Sequence, residues 1–457
     1  MGKPRVLIVG GGFAGLQAAR ALVKTVGDGV EVTLVNSTDY FLYLPLLPEV
    51  AAGVLDPRRV TVSLAGALRG VSCVLGEVHR VDLADRRVAV RSPEGATSEL
   101  SYDRLVVAAG SVNKLLPIPG VTEHAHGFRG IPEALYLRDH ITRQIELAEH
   151  CADPAERAAR CTFVVVGAGY TGTEVVAQGS LMTAALVKAR PRLRDQPIRW
   201  LLLDLAPRVL PELDRRLGRT ADRVLRRRGV EVLTGTSIAE ATATGVRLSN
   251  GTEVATRSLV WCVGVRPDIL VAGLDLPTTQ GRLTVDEYLT VPEHPEVFAC
   301  GDMAAVPDLT RPGQLTAMTA QHAQRQGKVA GRNVAASLGW GERTAYRHRD
   351  LGFLVDLGGT KAAANPLGIP LSGLPAFAVT RGYHLVAMPG NRVRVAVDWL
   401  LDAVLPRQGV QLGLVRSGAV PLDSTAPELA TGQGVADPRR MASGPATPSG
   451  RGEEEHR

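Results

Sequence analysis

Val6-Leu7-Ile8-Val9-Gly10-Gly11-Gly12-Phe13-Ala14-Gly15 opens the chain, and Thr162-Phe163-Val164-Val165-Val166-Gly167-Ala168-Gly169-Tyr170-Thr171-Gly172 repeats its logic far downstream. Each is a short apolar run, then G-x-G-x-x-G, then a segment with helical spacing. That context gives the motif its meaning. The glycines permit a tight strand-to-helix turn and let the backbone approach a pyrophosphate, whose charge sits at the helix N-terminus. Two such units predict two dinucleotides held by one chain. The plainer alternative is a pair of tight turns that bind nothing.

Working outward, the first unit predicts a helix over about 16–26 and a second strand ending at Asn36. An acidic residue at that strand end binds an adenosine ribose. Asparagine keeps the hydrogen bond and lacks the charge. The second unit has its own second strand, Arg199-Trp200-Leu201-Leu202-Leu203-Asp204, and Asp204 supplies the acid. A carboxylate there accepts from both ribose hydroxyls of NAD and repels the 2′-phosphate of NADP. Capping of the next turn is its structural alternative.

With 457 residues and a formal charge of +6, the chain has room for two or three domains. The charge excess suits an anionic membrane surface. No basic run is interleaved with aromatics, so nucleic acid is discounted. Met1–Arg5 leads straight into the first strand without a signal-peptide pattern. The sequence therefore predicts a cytoplasmic protein or one peripherally associated with the cytoplasmic face of the cell membrane. Cys73, Cys151, Cys161, Cys262 and Cys300 form no C-x-x-C pair and read as buried thiols in a reducing compartment. The dithiol of flavin-dependent disulfide reductases is missing. The ten histidines are scattered without metal-ligand spacing, so no metal is expected.

Further landmarks follow in order. The stretch 40–51 is too apolar and proline-broken for a solvated loop, and reads as a buried crossover or a cofactor wall. Segment 71–107 alternates like antiparallel strands, 131–160 is a helical connector, and 259–266 is a strand ending in glycine. Glu296–Ala299 leads into Cys300-Gly301-Asp302, 315–338 is helical, and 351–398 is strand-like with glycine turns. From Ser417 the composition turns to Gly, Pro, Ser, Thr and charge, which predicts a disordered tail.

Together these landmarks resemble the two-dinucleotide-binding-domain flavoproteins and, within them, the type II NADH dehydrogenases, which are single-subunit NADH:quinone oxidoreductases. General marks are Gly10–Gly15, Ala109-Gly110, Gly167–Gly172, Val263-Gly264 and Gly301-Asp302. More specific are Pro45-Leu46-Leu47-Pro48-Glu49-Val50-Ala51, Gly169-Tyr170-Thr171-Gly172-Thr173-Glu174, and Ala320-Gln321-His322-Ala323-Gln324-Arg325-Gln326-Gly327. The resemblance implies an α/β fold of two Rossmann-like domains plus a C-terminal α+β membrane-facing region. Its parts are an FAD domain over 1–120 and 285–345, an inserted NADH domain over 121–284, a C-terminal domain over 346–416, and the tail over 417–457. It implies FAD on Gly10, Gly12, Phe13, Ala14, Gly15, Asn36, Val78, Ala109, Gly110, Gly301, Asp302 and Ala320. NADH falls to Gly167, Gly169, Tyr170, Thr171, Gly172, Glu174, Asp204 and Gly264, and a membrane quinone to Gln321, Arg325 and Gln326. The implied reaction passes a hydride from NADH to FAD and two electrons to the quinone, without proton pumping. Arg325 stands where relatives usually carry a second glutamine, Met318 where a proline is common, and Asn36 where an acid is usual.

Four readings carry structural alternatives. Asp302 is a ligand for ribityl hydroxyls or a helix N-cap. Glu174 belongs to a proton path or complements a helix dipole. Gln321 binds a quinone carbonyl or is an ordinary helix residue. Val393, Val397, Leu400, Leu401, Val404 and Leu405 form one helical face, which lies in a membrane interface or packs on the protein itself or on a second copy in a homodimer. The alternative functions are a sulfide:quinone-type or ferredoxin-type reductase, or a redox sensor that binds NADH and turns over slowly.

Overall fold

A computed structural model describes residues 2–407 and 409–424. The two glycine-turn strands each lie at the centre of a parallel sheet. Arg5–Val9 is flanked by Glu31–Asn36 and Arg104–Val107, and Thr162–Val166 by Arg199–Asp204 and Ser258–Trp261. Their Val, Leu and Ile runs are buried on both faces, as a parallel sheet between layers requires. The first sheet is completed by Ser72–Leu75 at one edge and by His294–Ala299 and Thr290–Val291 at the other. Strands on both sides of residues 162–261 in sequence thus build one sheet, and the second unit is an insertion in the first.

Helix Phe13–Val26 begins three residues earlier than its apolar spacing predicts, at the turn itself. It packs against helix Ala320–Ser337 at backbone distance. A Cβ on Gly327 would overlap the Ala14 carbonyl, and one on Gly331 the Ala18 carbonyl. This contact sets the start of the later helix, with Gln321 in its first turn, directly beside the first glycine turn.

The C-terminal region differs from its strand-like expectation. Short strands Leu354–Asp356, Ala362–Ala364 and Leu371–Ser372 form one antiparallel sheet, but Leu374–Ala387 is helical. Gly373, at φ 67°, ends the sheet, and Pro375 fits the first helical turn, where no amide is needed. The buried stripe Ala376, Thr380, His384 has helical spacing, and the valines and aromatics around it obscured that period. Helix Arg392–Val404 follows.

Residues 417–424 depart from the expected disorder. Val420 and Leu422 are buried, and Asn113 Nδ2 donates to the Leu422 carbonyl at 3.2 Å. The two side chains supply the apolar burial that composition averaged over the tail conceals. Residues 425–457 lie outside the described residues. Of the cysteines, Cys161 and Cys300 are buried as expected, whereas Cys73 is exposed and Cys151 and Cys262 are half-buried. Among the described residues, no helix is long and apolar enough to cross a membrane.

Candidate functional site

The two turns are built alike. Gly10 and Gly167 have φ of +99° and +105°, a region that favours glycine. Cβ atoms on Gly15 and Gly172 would overlap the carbonyls of Gly10 and Gly167, so these glycines bring helix onto strand. Cβ atoms on Gly12 and Gly169 would meet nothing within 4 Å. The open side of each turn faces a single cavity of about 1180 Å³. That exceeds the usual range for one small-molecule site, roughly 300–1,000 Å³.

Asn36 and Asp204 play one local role. Asn36 Oδ1 accepts the Gly11 amide at 2.7 Å, and Asp204 Oδ2 accepts the Ala168 amide at 2.5 Å. Asp204 Oδ1 also accepts from the Ala206 amide at 2.7 Å, which is the turn cap foreseen as its alternative. Both side chains nevertheless line the cavity.

The cavity wall brings together Gly10, Gly12, Phe13, Ala14, Asn36, Val78, Ala109, Gly110, Gly301, Asp302 and Ala320 from the expected FAD set. From the NADH set it holds Gly167, Gly169, Tyr170, Thr171, Glu174, Asp204 and Gly264, and Gln321 joins them. The proline-broken segment is both crossover and wall. Tyr40, Leu42, Pro45 and Pro48 line the cavity, while Phe41, Tyr43 and Val50 are buried.

Asp302 does not cap the following helix. Thr319 does, its hydroxyl accepting from the His322 amide at 3.4 Å. The Asp302 carboxyl instead accepts from Ser111 Oγ at 2.7 Å. Burial raises its pKa, and the Ser111 bond and the Arg282 charge oppose that. Glu174 faces the cavity and accepts the Asp356 amide at 3.0 Å. Burial raises its pKa well above the usual carboxylate range. Gln321 Nε2 donates to the Gly352 carbonyl at 2.6 Å, and its Oε1 is buried with no partner among the described residues.

Arg325 and Gln326, expected beside Gln321 at a quinone, are placed elsewhere. Arg325 turns outward onto the Arg349 carbonyl and the His348 ring. Gln326 Oε1 accepts the Gly301 amide at 2.8 Å, and its Nε2 donates to Thr316 Oγ1 at 2.9 Å, so it fixes the Gly301 turn from behind. At 3.6 residues per turn, position four beyond Gln321 lies about 40° from its direction and position five about 140°, so Gln326 leaves the helix on nearly the opposite side.

One cluster had no counterpart in the sequence reading. Glu49, from the apolar segment, is 2% exposed. It accepts from Arg381 Nη1 and from Trp399 Nε1, both at 2.5 Å. Arg381 Nη2 reaches Asp356 Oδ2 at 3.3 Å, and its guanidinium lies 4.1 Å over the Trp399 ring. Burial, partly offset by Arg381, lifts the Glu49 pKa to about 8. Only a charged residue inside an apolar run hinted at it. Trp399 belongs to the helix whose Val393, Val397, Leu400, Leu401 and Val404, with Leu405 just beyond, are exposed. Those from Val393 to Val404 lie on one helix, and they and Leu405 are exposed among the described residues.

The residues present fit a flavin dinucleotide in the first half of the cavity. The unfilled space at Gly12 admits a pyrophosphate, the helix at Phe13 turns its N-terminus to it, and Asp302 and Gln321 Oε1 offer acceptors there.

Comparison with known proteins agrees. Residues 4–327 match the pyridine nucleotide-disulphide oxidoreductase family. The chain is 32% identical over 463 residues to the type II NADH:quinone oxidoreductase Ndh of Mycobacterium tuberculosis, covering 96% of this chain and 97% of that protein. It is 29% identical over 412 residues to the demethylphylloquinone reductase NdbB of Synechocystis, covering 87% and 96%. The fold matches that of NDH2 from Plasmodium falciparum, solved in complex with NADH, at a TM-score of 0.83 and 18% identity over 90% of this chain and 100% of that one. With two nucleotide turns opening on one cavity and this likeness along nearly its whole length, the chain belongs to the type II NADH:quinone oxidoreductases of the pyridine nucleotide-disulphide oxidoreductase family.

Proposed function

We propose that the chain oxidises NADH and reduces a membrane quinone through a bound FAD, with each half of the cavity serving one nucleotide. The observation that carries this is the shared cavity: Gly12 and Gly169 both open into it, and Glu174 and Gln321 line the same wall. The Gly10–Ala14 turn, Asn36 and Asp302 hold the flavin nucleotide, and Gly167–Thr171 and Asp204 hold NADH. When bound, the flavin accepts a hydride from NADH and delivers two electrons to the quinone. Asp204 favours NADH, because its carboxylate repels a 2′-phosphate. The Glu174 carboxyl, its pKa raised by burial, stands at the cavity wall, where quinol formation takes up one proton from solvent for each hydride. Apolar residues of the 40–51 segment keep water from that wall.

The uncovered face of helix Arg392–Val404 attaches the protein peripherally to the cytoplasmic face of the cell membrane and admits a lipophilic acceptor. Arg381 and Trp399 tie that helix to Glu49 beneath the cavity. A second copy in a homodimer is the other occupant this face would accept, and partitioning into lipid vesicles separates the two. The test of function is spectroscopic. The purified protein is yellow, NADH bleaches it, and a quinone restores the colour. A flavin-loaded protein that NADH does not bleach ends this reading.

A further inference from the structure

Helix Leu374–Ala387 brings Val379, Tyr383 and His384 to the cavity wall. The His384 ring is 7% exposed, and its Nδ1 lies 3.1 Å from the Tyr43 hydroxyl. The two rings meet edge-on, 5.8 Å between centroids. Tyr43 is 1% exposed, and among the described residues its hydroxyl has no other partner. Were the ring to donate, the phenolic proton would be left buried and unpaired. Tyr43 therefore donates to Nδ1, and a neutral ring then carries its proton on Nε2. Burial is the main reason the ring stays neutral, with a pKa lowered to about 4; Asp356 favours the charged form, and Arg381 opposes it. Nε2 has no partner among the described residues, so a hydrogen-bond donor stands unmatched at the wall of the cavity.

Gln321 presents the opposite half of a hydrogen bond. One of its two amide N–H groups is engaged by the Gly352 carbonyl, and its buried Oε1 is an acceptor without a partner among the described residues. An oxidised quinone has carbonyl acceptors and no donor, so the unpartnered Gln321 Oε1 does not suit it, whereas the His384 Nε2–H does. We propose that His384, its tautomer set by Tyr43, donates the hydrogen bond that holds a carbonyl oxygen of the quinone. The inference rests on the NADH:quinone reading above and adds the residue that recognises the oxidised acceptor.

The test measures binding of menadione to the oxidised, flavin-loaded full chain by equilibrium dialysis, independent of turnover. His384→Phe keeps a ring without the donor, and should raise the menadione Kd about five- to tenfold, the usual value of one such bond. His384→Gln, whose amide N–H reaches close to the Nε2 position, should return it to within about twofold of wild type. Tyr43→Phe releases the tautomer and should fall between. The Kd for NADH should be unchanged in all three. Wild-type affinity in His384→Phe overturns the proposal alone, as does a His384→Gln variant no better than the Phe variant. A flavin-loaded wild type that binds no menadione overturns it together with the quinone reading.

Discussion

The two nucleotide units share a turn and differ in what their helices grip. Helix Phe13–Val26 is clasped by helix Ala320–Ser337 of the same domain, through Gly327 and Gly331. Helix Tyr170–Lys188 packs on Leu47–Ala51 and Ile131–His150 and also meets the C-terminal region. Glu174 takes the Asp356 amide, and Gln178 Nε2 donates to Asp356 Oδ2 at 3.3 Å. The acceptor behind each turn also differs, a neutral amide at Asn36 and a carboxylate at Asp204. One unit is locked into its own domain, and the other is wired to the region that carries the exposed apolar face. The same local motif is thus set in two different surroundings, in keeping with the resident and exchanging nucleotides proposed for them.

Glycine substitutions should break this likeness most. Gly15→Ala and Gly172→Ala each drive a methyl into a carbonyl of their own turn, at the upper end of overpacking costs, about 3 kcal/mol. Soluble yield and thermal melting should fall for both. Gly12→Val and Gly169→Val, by contrast, fill open space and should leave the fold intact with different losses. The first should purify colourless. The second should stay yellow and fail to bleach with NADH. Identical absorbance behaviour in the two variants would merge the roles assigned to the halves.

Asp204→Ala removes a charge-assisted acceptor worth about 1.5–3 kcal/mol, so the NADH KM should rise about tenfold or more and the preference over NADPH should narrow. Asn36→Ala removes a neutral acceptor and should cost less. Steady-state kinetics with both nucleotides measures this, and a wild type that uses NADPH equally well removes the role of Asp204.

Glu49 sharpens the comparison through pH. Its folded pKa of about 8 lies above the unfolded value of about 4.3. The folded protein therefore keeps a proton that the unfolded chain releases, and this contribution to stability is lost as pH rises toward 8. Glu49→Gln keeps a neutral group of the same shape, so the fall in melting temperature between pH 5 and pH 8 should be shallower. An unchanged slope would mean that Glu49 is not the titrating group.

The smallest effect is expected at the cysteines: Cys262 follows the strand beside the second glycine-turn strand, where the first unit has Ala108, and Cys300 lies one strand further out in the first sheet. The Cys300 amide donates to the Val107 carbonyl at 3.1 Å, and the Cys262 amide to the Val166 carbonyl at 2.7 Å. Burial raises both thiols to about 12, so neither is a thiolate near neutral pH. Replacing all five cysteines by Ser or Ala should leave bleaching by NADH intact in stopped-flow. Loss of bleaching in a folded, flavin-loaded variant would reinstate a thiol mechanism.

By itself the sequence determined both strand-turn-helix units, the order of the chain around them, the candidate ligands Asn36, Asp204 and Asp302, and the apolar stripe from Val393 to Leu405. These are local features, written in glycine spacing, strand ends and helical period, which near neighbours along the chain dictate. Tertiary structure alone decided which side chains meet. Glu49, Arg381 and Trp399 are far apart in sequence, as are Tyr43 and His384, and no period links them. Arg325 and Gln326 follow Gln321 on one helix, yet packing against the first turn sends one outward and buries the other behind Gly301. The same holds for residues 417–424, where composition averaged over a polar tail hides two side chains that find a groove. Burial of a charge or a ring depends on what lies opposite, and that is fixed only when separated segments close on one core.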